Sequence, residues 1–307
     1  MSEAGTSGIP SQPDVAPSPL PPPQNGEAKD QSPPWIGALK TVAFVLAIQL
    51  FALYITRVNA PTIVTSGISY QPAGTSSSGS IYNVLILVVV VIASTLAALW
   101  LARKRKLKVF LAVVFVGTAV ALFLLTLLSA IDVTSGFLDA FSSLYLSIGC
   151  ACATVVVLAL VTLRKIPSWS SLILTGLLSA EVGSYFASTI PILTALILPV
   201  AFSLYDIYTV FRGPLKSLIT TIPEESLSAI SSHIGDFSLG TGDTVFYAML
   251  PALAYFQFTL SSAFVTLIAV DVGVFLTLYL LARVRLLPGL PIPMFLGLAV
   301  LLFFFVA

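Results

Sequence analysis

The chain has 307 residues, of which 57% are hydrophobic and only 9% charged, with a net charge of +1 and a mean hydropathy of +1.03. That balance excludes an ordinary soluble globular domain, and near-neutrality excludes a general attraction to nucleic acid or acidic partners. With so few charges, their positions carry the information.

Residues 1–34 are rich in Pro, Ser and Gly without apolar periodicity, so a disordered tail is expected ahead of a membrane domain at 35–307. The first apolar run starts late and lacks a basic leader or a short hydrophobic region ending in a cleavage site. It reads as a retained span, not a signal peptide. A hydrocarbon core about 30 Å thick takes about 20 apolar residues in helix. By that ruler the chain holds nine runs, at about 38–56, 81–101, 107–127, 141–162, 168–188, 190–210, 243–260, 262–282 and 291–307. The expected fold class is therefore all-α and polytopic, with nine transmembrane helices and a loop at 211–242. Pro191, Ser261-Ser262 and Pro288 to Pro291 mark three of the boundaries. Continuous runs of this kind are not the short alternating strands of a barrel. Cys150 and Cys152, two apart in an apolar run, point in different directions on a helix and are expected to pack, with neither a disulfide nor a metal role.

Basic residues orient the bundle. Arg103, Lys104, Arg105, Lys106 and Lys108 follow the second run, Arg164 and Lys165 the fourth, Arg212 and Lys216 the sixth, and Arg283 and Arg285 the eighth. The intervening loops hold only Arg57, so the positive-inside rule puts the N-terminus in the cytoplasm and the C-terminus outside.

Four acids fall within the runs: Glu181, Asp206, Asp243 and Asp271. Each is costly in a bilayer and is a functional candidate for that reason. Asp206 lies about 9 Å inward from Arg212, and Asp243 lies in the first turn of a helix entering from the same side, so the two can meet. Glu181 is more than halfway across its span, and Asp271 is about 18 Å from Arg283, away from that level. Paired carboxylates in a low-dielectric site share a proton, which suits them to activate water and protonate a carbonyl or leaving amine without a cofactor or metal. Two unrelated helix-end acids are the plainer alternative at this point. Gly240-Thr241-Gly242-Asp243 places glycines just before one acid, where another backbone, such as a substrate strand, could approach closely. Pro288-Gly289-Leu290-Pro291 sets an irregular segment at the start of the ninth helix, at the same depth.

Tyr205-Asp206, Gly240 to Asp243 followed by Phe246-Tyr247, and Pro288 to Pro291 resemble, in order, the YD, GxGD and PAL motifs of the presenilin and signal peptide peptidase family. Arg212-Gly213-Pro214-Leu215 and Leu276-Thr277-Leu278 look more like presenilin, and the short chain resembles the prokaryotic, archaeal homologues. The match covers roughly residues 200 to 297. It implies a nine-helix presenilin-like fold and an intramembrane aspartyl endopeptidase that hydrolyses peptide bonds within transmembrane segments. Asp206 and Asp243 take the catalytic roles, Tyr205 supports the first, and Gly240, Gly242, Pro288, Gly289, Leu290 and Pro291 form the surrounding site. Gly289 stands where the family typically has Ala, which is expected to loosen the turn. The implied substrates are single-span proteins with an outside N-terminus. Only 36 residues separate the two aspartates, too few for presenilin's long loop, so an uncut chain without obligatory partner subunits is expected. Pro223-Glu224-Glu225 with Leu227 and Ile230 reads as a short surface helix, and His233, the only histidine, as a solvated loop residue. Short loops and the absence of a retention signal point to a prokaryotic cell membrane. The rival reading is a proton- or cation-coupled transporter or channel using the four acids.

Overall fold

The computed structural model describes residues 34–103, 107–163, 168–212, 231–234, 237–284 and 287–306. Residues 1–33 of the expected tail, the segment Pro223 to Ile230 and seven of the eleven orienting loop cations (Lys104, Arg105, Lys106, Arg164, Lys165, Lys216 and Arg285) lie outside them.

Nine helices occupy the described residues: α1 Pro34–Ser66, α2 Ser77–Arg103, α3 Leu107–Thr134, α4 Ala140–Thr162, α5 Ser168–Thr189, α6 Ile192–Phe211, α7 Thr241–Gln257, α8 Leu260–Leu281 and α9 Pro291–Val306. Six of them (α1, α2, α3, α4, α6 and α8) are long and apolar enough to cross a bilayer by length and composition. The other three are α5, which carries buried Ser179, Glu181 and Ser184, and the shorter α7 and α9, of 17 and 16 residues. The expected all-helical, nine-span architecture holds, with one addition. Ser231–Ile234 (β1) and Phe237–Gly240 (β2) pair antiparallel ahead of α7, within what reads from sequence as loop, and His233 lies on β1 opposite Ser238.

Three boundaries move, each for a polar reason. The first run is expected to end at about 56, just before Arg57, yet α1 continues to Ser66 because its polar residues find partners on neighbouring helices. Thr56 Oγ1 lies 2.8 Å from Ser184 Oγ, Asn59 Nδ2 donates to Ser129 Oγ at 3.3 Å, and Thr62 donates to Asp132 at 3.0 Å. Arg57 therefore belongs to a helix and not to a loop. α3 lengthens to Thr134 through the same seam. The break between α7 and α8 falls at Phe258-Thr259 instead of Ser261-Ser262, because Thr259 caps α8 and Ser262 completes the reciprocal capping box.

α7 forms the centre. Thr244 and Phe246 through Ala254 are buried, beneath α1, α5, α8 and α9. Close approach to α7 and α9 depends on missing side chains. A Cβ on Gly183 of α5 would sit 2.8 Å from Ala248 Cβ, and one on Gly273 of α8 would sit 2.4 Å from Pro293 Cα. Buried Ser179 and Thr244 hydroxyls, 2.6 Å apart, add a polar tie between α5 and α7. α4 is peripheral, packing mainly on α3, so Cys150 and Cys152 are exposed on its surface as free thiols and not packed in a core as expected.

Candidate active site

α6 carries Asp206 five residues before its end at Phe211, and α7 carries Asp243 in its first turn. β2 runs directly into α7 through Gly240, which holds the N-cap in an extended conformation (φ −71°, ψ 137°). One turn deeper than each acid, the rings of Phe202 and Phe246 meet with centroids 4.8 Å apart, forming an apolar floor between the two helices. Elsewhere α6 leans on α2 and α9 and barely touches α7, so the acids stand where these helices are not packed together.

The Pro288–Pro291 turn joins them. The Leu290 N–H donates to Asp206 Oδ2 at 3.0 Å, and the Gly289 amide also faces that carboxyl. Gly289 meets the other acid: a Cβ there would lie 2.7 Å from Asp243 Oδ2 and 3.4 Å from its Cγ. Neighbouring residues of one turn thus touch both carboxyl groups, and consecutive Cα atoms are about 3.8 Å apart. Asp206 lies close enough for its charge to act on Asp243. Tyr247 completes the arrangement. Its hydroxyl donates to the Gly289 carbonyl at 3.0 Å and lies within electrostatic reach of both acids.

The remaining candidate residues take distinct places. Pro288 and Leu290 are buried and Pro291 opens α9, so the turn is fixed at both ends. Gly289 does not adopt a left-handed conformation; its lack of a side chain makes room for Asp243 instead of loosening the turn. A Cβ on Gly240 would meet Asp243 Oδ2 at an ordinary 3.4 Å, while Gly242 is exposed and faces open space. The Tyr205 hydroxyl donates to Thr95 Oγ1 of α2 at 3.2 Å, so its side chain ties α6 to α2. Glu181 and Asp271 lie apart from the pair: Thr126 donates to Glu181 Oε1 at 2.9 Å, and Asp271 sits midway along α8 with its Oδ1 buried and unpartnered. Two residues stand out here that the sequence reading does not place in the site: Tyr247 at the pair, and Gln49, whose amide donates to the Tyr247 backbone carbonyl at 3.3 Å. Tyr247 stood in the motif string only as a neighbour, and the signal for Gln49 was an amide midway along an apolar run.

No family model matches the chain. It is 38% identical over 118 residues to Presenilin-B of Dictyostelium discoideum, a stretch that is 35% of this chain and 25% of that protein. The chain thus matches about a quarter of the length of that relative. Two solved structures of a presenilin family intramembrane aspartate protease superpose on it. The first, in space group C222, has a TM-score of 0.63 and 21% identity and covers 87% of this chain and 99% of that one. The second, in P2, has a TM-score of 0.58 and 23% identity and covers 83% and 95%. In fold along most of its length, and in sequence over 118 residues, the chain is presenilin-like.

Proposed function

We propose that the chain is an intramembrane aspartyl endopeptidase that hydrolyses peptide bonds within transmembrane segments of other proteins. The observation that carries this reading is the single turn in contact with both acids, Leu290 through its N–H on Asp206 and Gly289 against Asp243. Two carboxyl groups so placed hold one proton between them. The ionised member removes a proton from an attacking water, and the protonated member donates to the substrate carbonyl and then to the leaving amine. The Tyr247 hydroxyl is already committed to Gly289, which steadies the turn between the acids. Open space beside Gly242 and the strand entering α7 offer room for an extended substrate backbone.

The eleven basic residues in or flanking alternate loops support a cytoplasmic N-terminus and an outside C-terminus, with Arg57 the sole exception. Cleavage then falls near the cytoplasmic face of substrates whose N-termini are outside, in a prokaryotic cell membrane, by an uncut chain acting without partner subunits.

The test is Asp206→Asn and Asp243→Asn, each assayed for cleavage of a transmembrane reporter in liposomes. Either substitution should abolish cleavage while leaving the fold intact. Retained cleavage in both would refute the proposal, and ion flux dependent on Asp271 would favour a transporter.

A further inference from the structure

Arg57 breaks the loop-charge pattern, and its side chain makes no hydrogen bond or ion pair among the described residues. It does not stand on featureless surface. It lines a groove of about 710 Å³ where the last turns of α1 meet the end of α7 and the start of α8. Pro61 and Val64 line the groove from α1, Tyr255 from α7, Phe258 from the connection and Leu260 from α8. No Asp or Glu is among the described residues that line it, so one uncompensated positive charge stands over mainly apolar walls.

Depth and the surface below the groove say what fills it. Arg57 lies roughly 26 Å along α1 from Lys40, close to the thickness of a hydrocarbon core, so the two cations stand at opposite boundaries where lipid phosphates lie. Leu50, Tyr54, Arg57 and Pro61 are spaced four, three and four residues apart and share one stripe of α1. On α8, Leu260 and Phe264 are one turn apart. Leu50, Tyr54, Leu260 and Phe264 are all exposed, on two helices that pack against each other. The cation therefore stands at the headgroup end of an apolar track that runs back into the bilayer.

We propose that this groove binds an anionic glycerophospholipid, with its phosphate on the Arg57 guanidinium and an acyl chain along Leu50 and Tyr54 of α1 and Phe264 of α8. A guanidinium presents paired N–H donors that match two phosphate oxygens, and next to hydrocarbon that pair is weakly screened. A headgroup with net negative charge is favoured over a zwitterionic one, because the described lining offers no carboxylate to a second, cationic group. Free phosphate would satisfy Arg57 but leave the apolar track uncovered. The bound lipid ties α1 to the α7–α8 connection. The inference depends neither on the protease reading nor on which side of the membrane the groove faces.

The test titrates the full-length protein in mild detergent with dioleoyl phosphatidylglycerol or dioleoyl phosphatidylcholine and counts retained lipid by native mass spectrometry. Wild-type protein should hold one phosphatidylglycerol with a Kd about tenfold below that for phosphatidylcholine, Arg57→Gln should lose that preference, and Arg57→Lys should keep part of it. Because exposed Arg57 has no partner among the described residues, wild-type and Arg57→Gln proteins should unfold at the same temperature without lipid, and phosphatidylglycerol should raise that temperature more in the wild type. In wild-type protein, phosphatidylglycerol with a photoreactive acyl chain should label Tyr54 or Phe264, a result that needs no variant to fold. Equal affinity for the two lipids in the wild type, or undiminished phosphatidylglycerol affinity in Arg57→Gln, overturns the proposal. Labelling spread evenly over the lipid-facing helices overturns the acyl-chain track. Displacement of the lipid by millimolar inorganic phosphate overturns a lipid site in favour of a small-anion site.

Discussion

Gly289→Ala restores the residue that the resembling family usually carries, and in this chain it should impair the enzyme. The added Cβ would stand 2.7 Å from Asp243 Oδ2, whereas ordinary contact begins at 3.4 Å, so one partner must yield by about 0.7 Å. The turn resists: the Gly289 carbonyl is held by Tyr247, the Leu290 N–H by Asp206, and Pro288 and Leu290 are buried. The Asp243 carboxyl is the flexible end, so it should rotate or shift. A misplacement of 1 Å in a catalytic group can cost on the order of 100-fold, so a shift of this size should reduce kcat by roughly tenfold, about 1.4 kcal/mol in the barrier. Substrate contacts made away from the acids are untouched, so KM should stay nearly constant. Steady-state cleavage of a transmembrane reporter in liposomes separates the two constants, with thermal unfolding as the control for global damage. An unaltered or raised kcat would show that Asp243 is not held against Gly289 during catalysis, and the geometric reasoning would fall.

Three further outcomes are expected. Tyr205→Phe removes the hydroxyl bonded to Thr95 and should cost about 0.5–1.5 kcal/mol of stability with kcat nearly unaffected; a collapse of kcat at constant stability would instead place that hydroxyl at Asp206. Gly273→Ala forces a Cβ to within 2.4 Å of the Pro293 backbone, which must move, so thermal unfolding should show a loss of about 1–3 kcal/mol along with reduced cleavage. At the head of α4, the Ser142 side chain and amide hold the exposed Asp139 carboxyl below the usual range. Its contribution is therefore present above the ordinary carboxylate range and is lost as pH falls through the folded value. Hydrogen exchange at Ser142 and Ser143 should accelerate in acid, and Asp139→Asn should flatten that response.

The helices were legible because a bilayer imposes a minimum apolar length, and the pairing of Asp206 with Asp243 followed from depth and loop charge. What escaped the sequence shares a physical character: polar groups whose partners lie far along the chain. Arg57 and Asn59 resemble the end of a span until Ser129, Asp132 and Ser184 are seen to satisfy the seam around them. The β1–β2 pair escaped because its strands have four residues each, though Gly235-Asp236 between them is a sequence signal for a two-residue hairpin. Gly289 was legible as a departure from a motif. Its effect was not, because what matters there is the space a side chain would take from Asp243.

The turn from Pro288 to Pro291 also has a mechanical consequence. Since Leu290 holds Asp206 while Gly289 bears on Asp243, the two acids share a common mount. A displacement of that mount as a rigid piece carries both carboxyl groups along and largely preserves their separation, whereas a displacement of α6 or α7 alone changes it. The site should therefore tolerate breathing of α9 against the bilayer better than slippage between the helices that bear the acids. Thickness-dependent distortion of the membrane is then filtered according to which helix absorbs it.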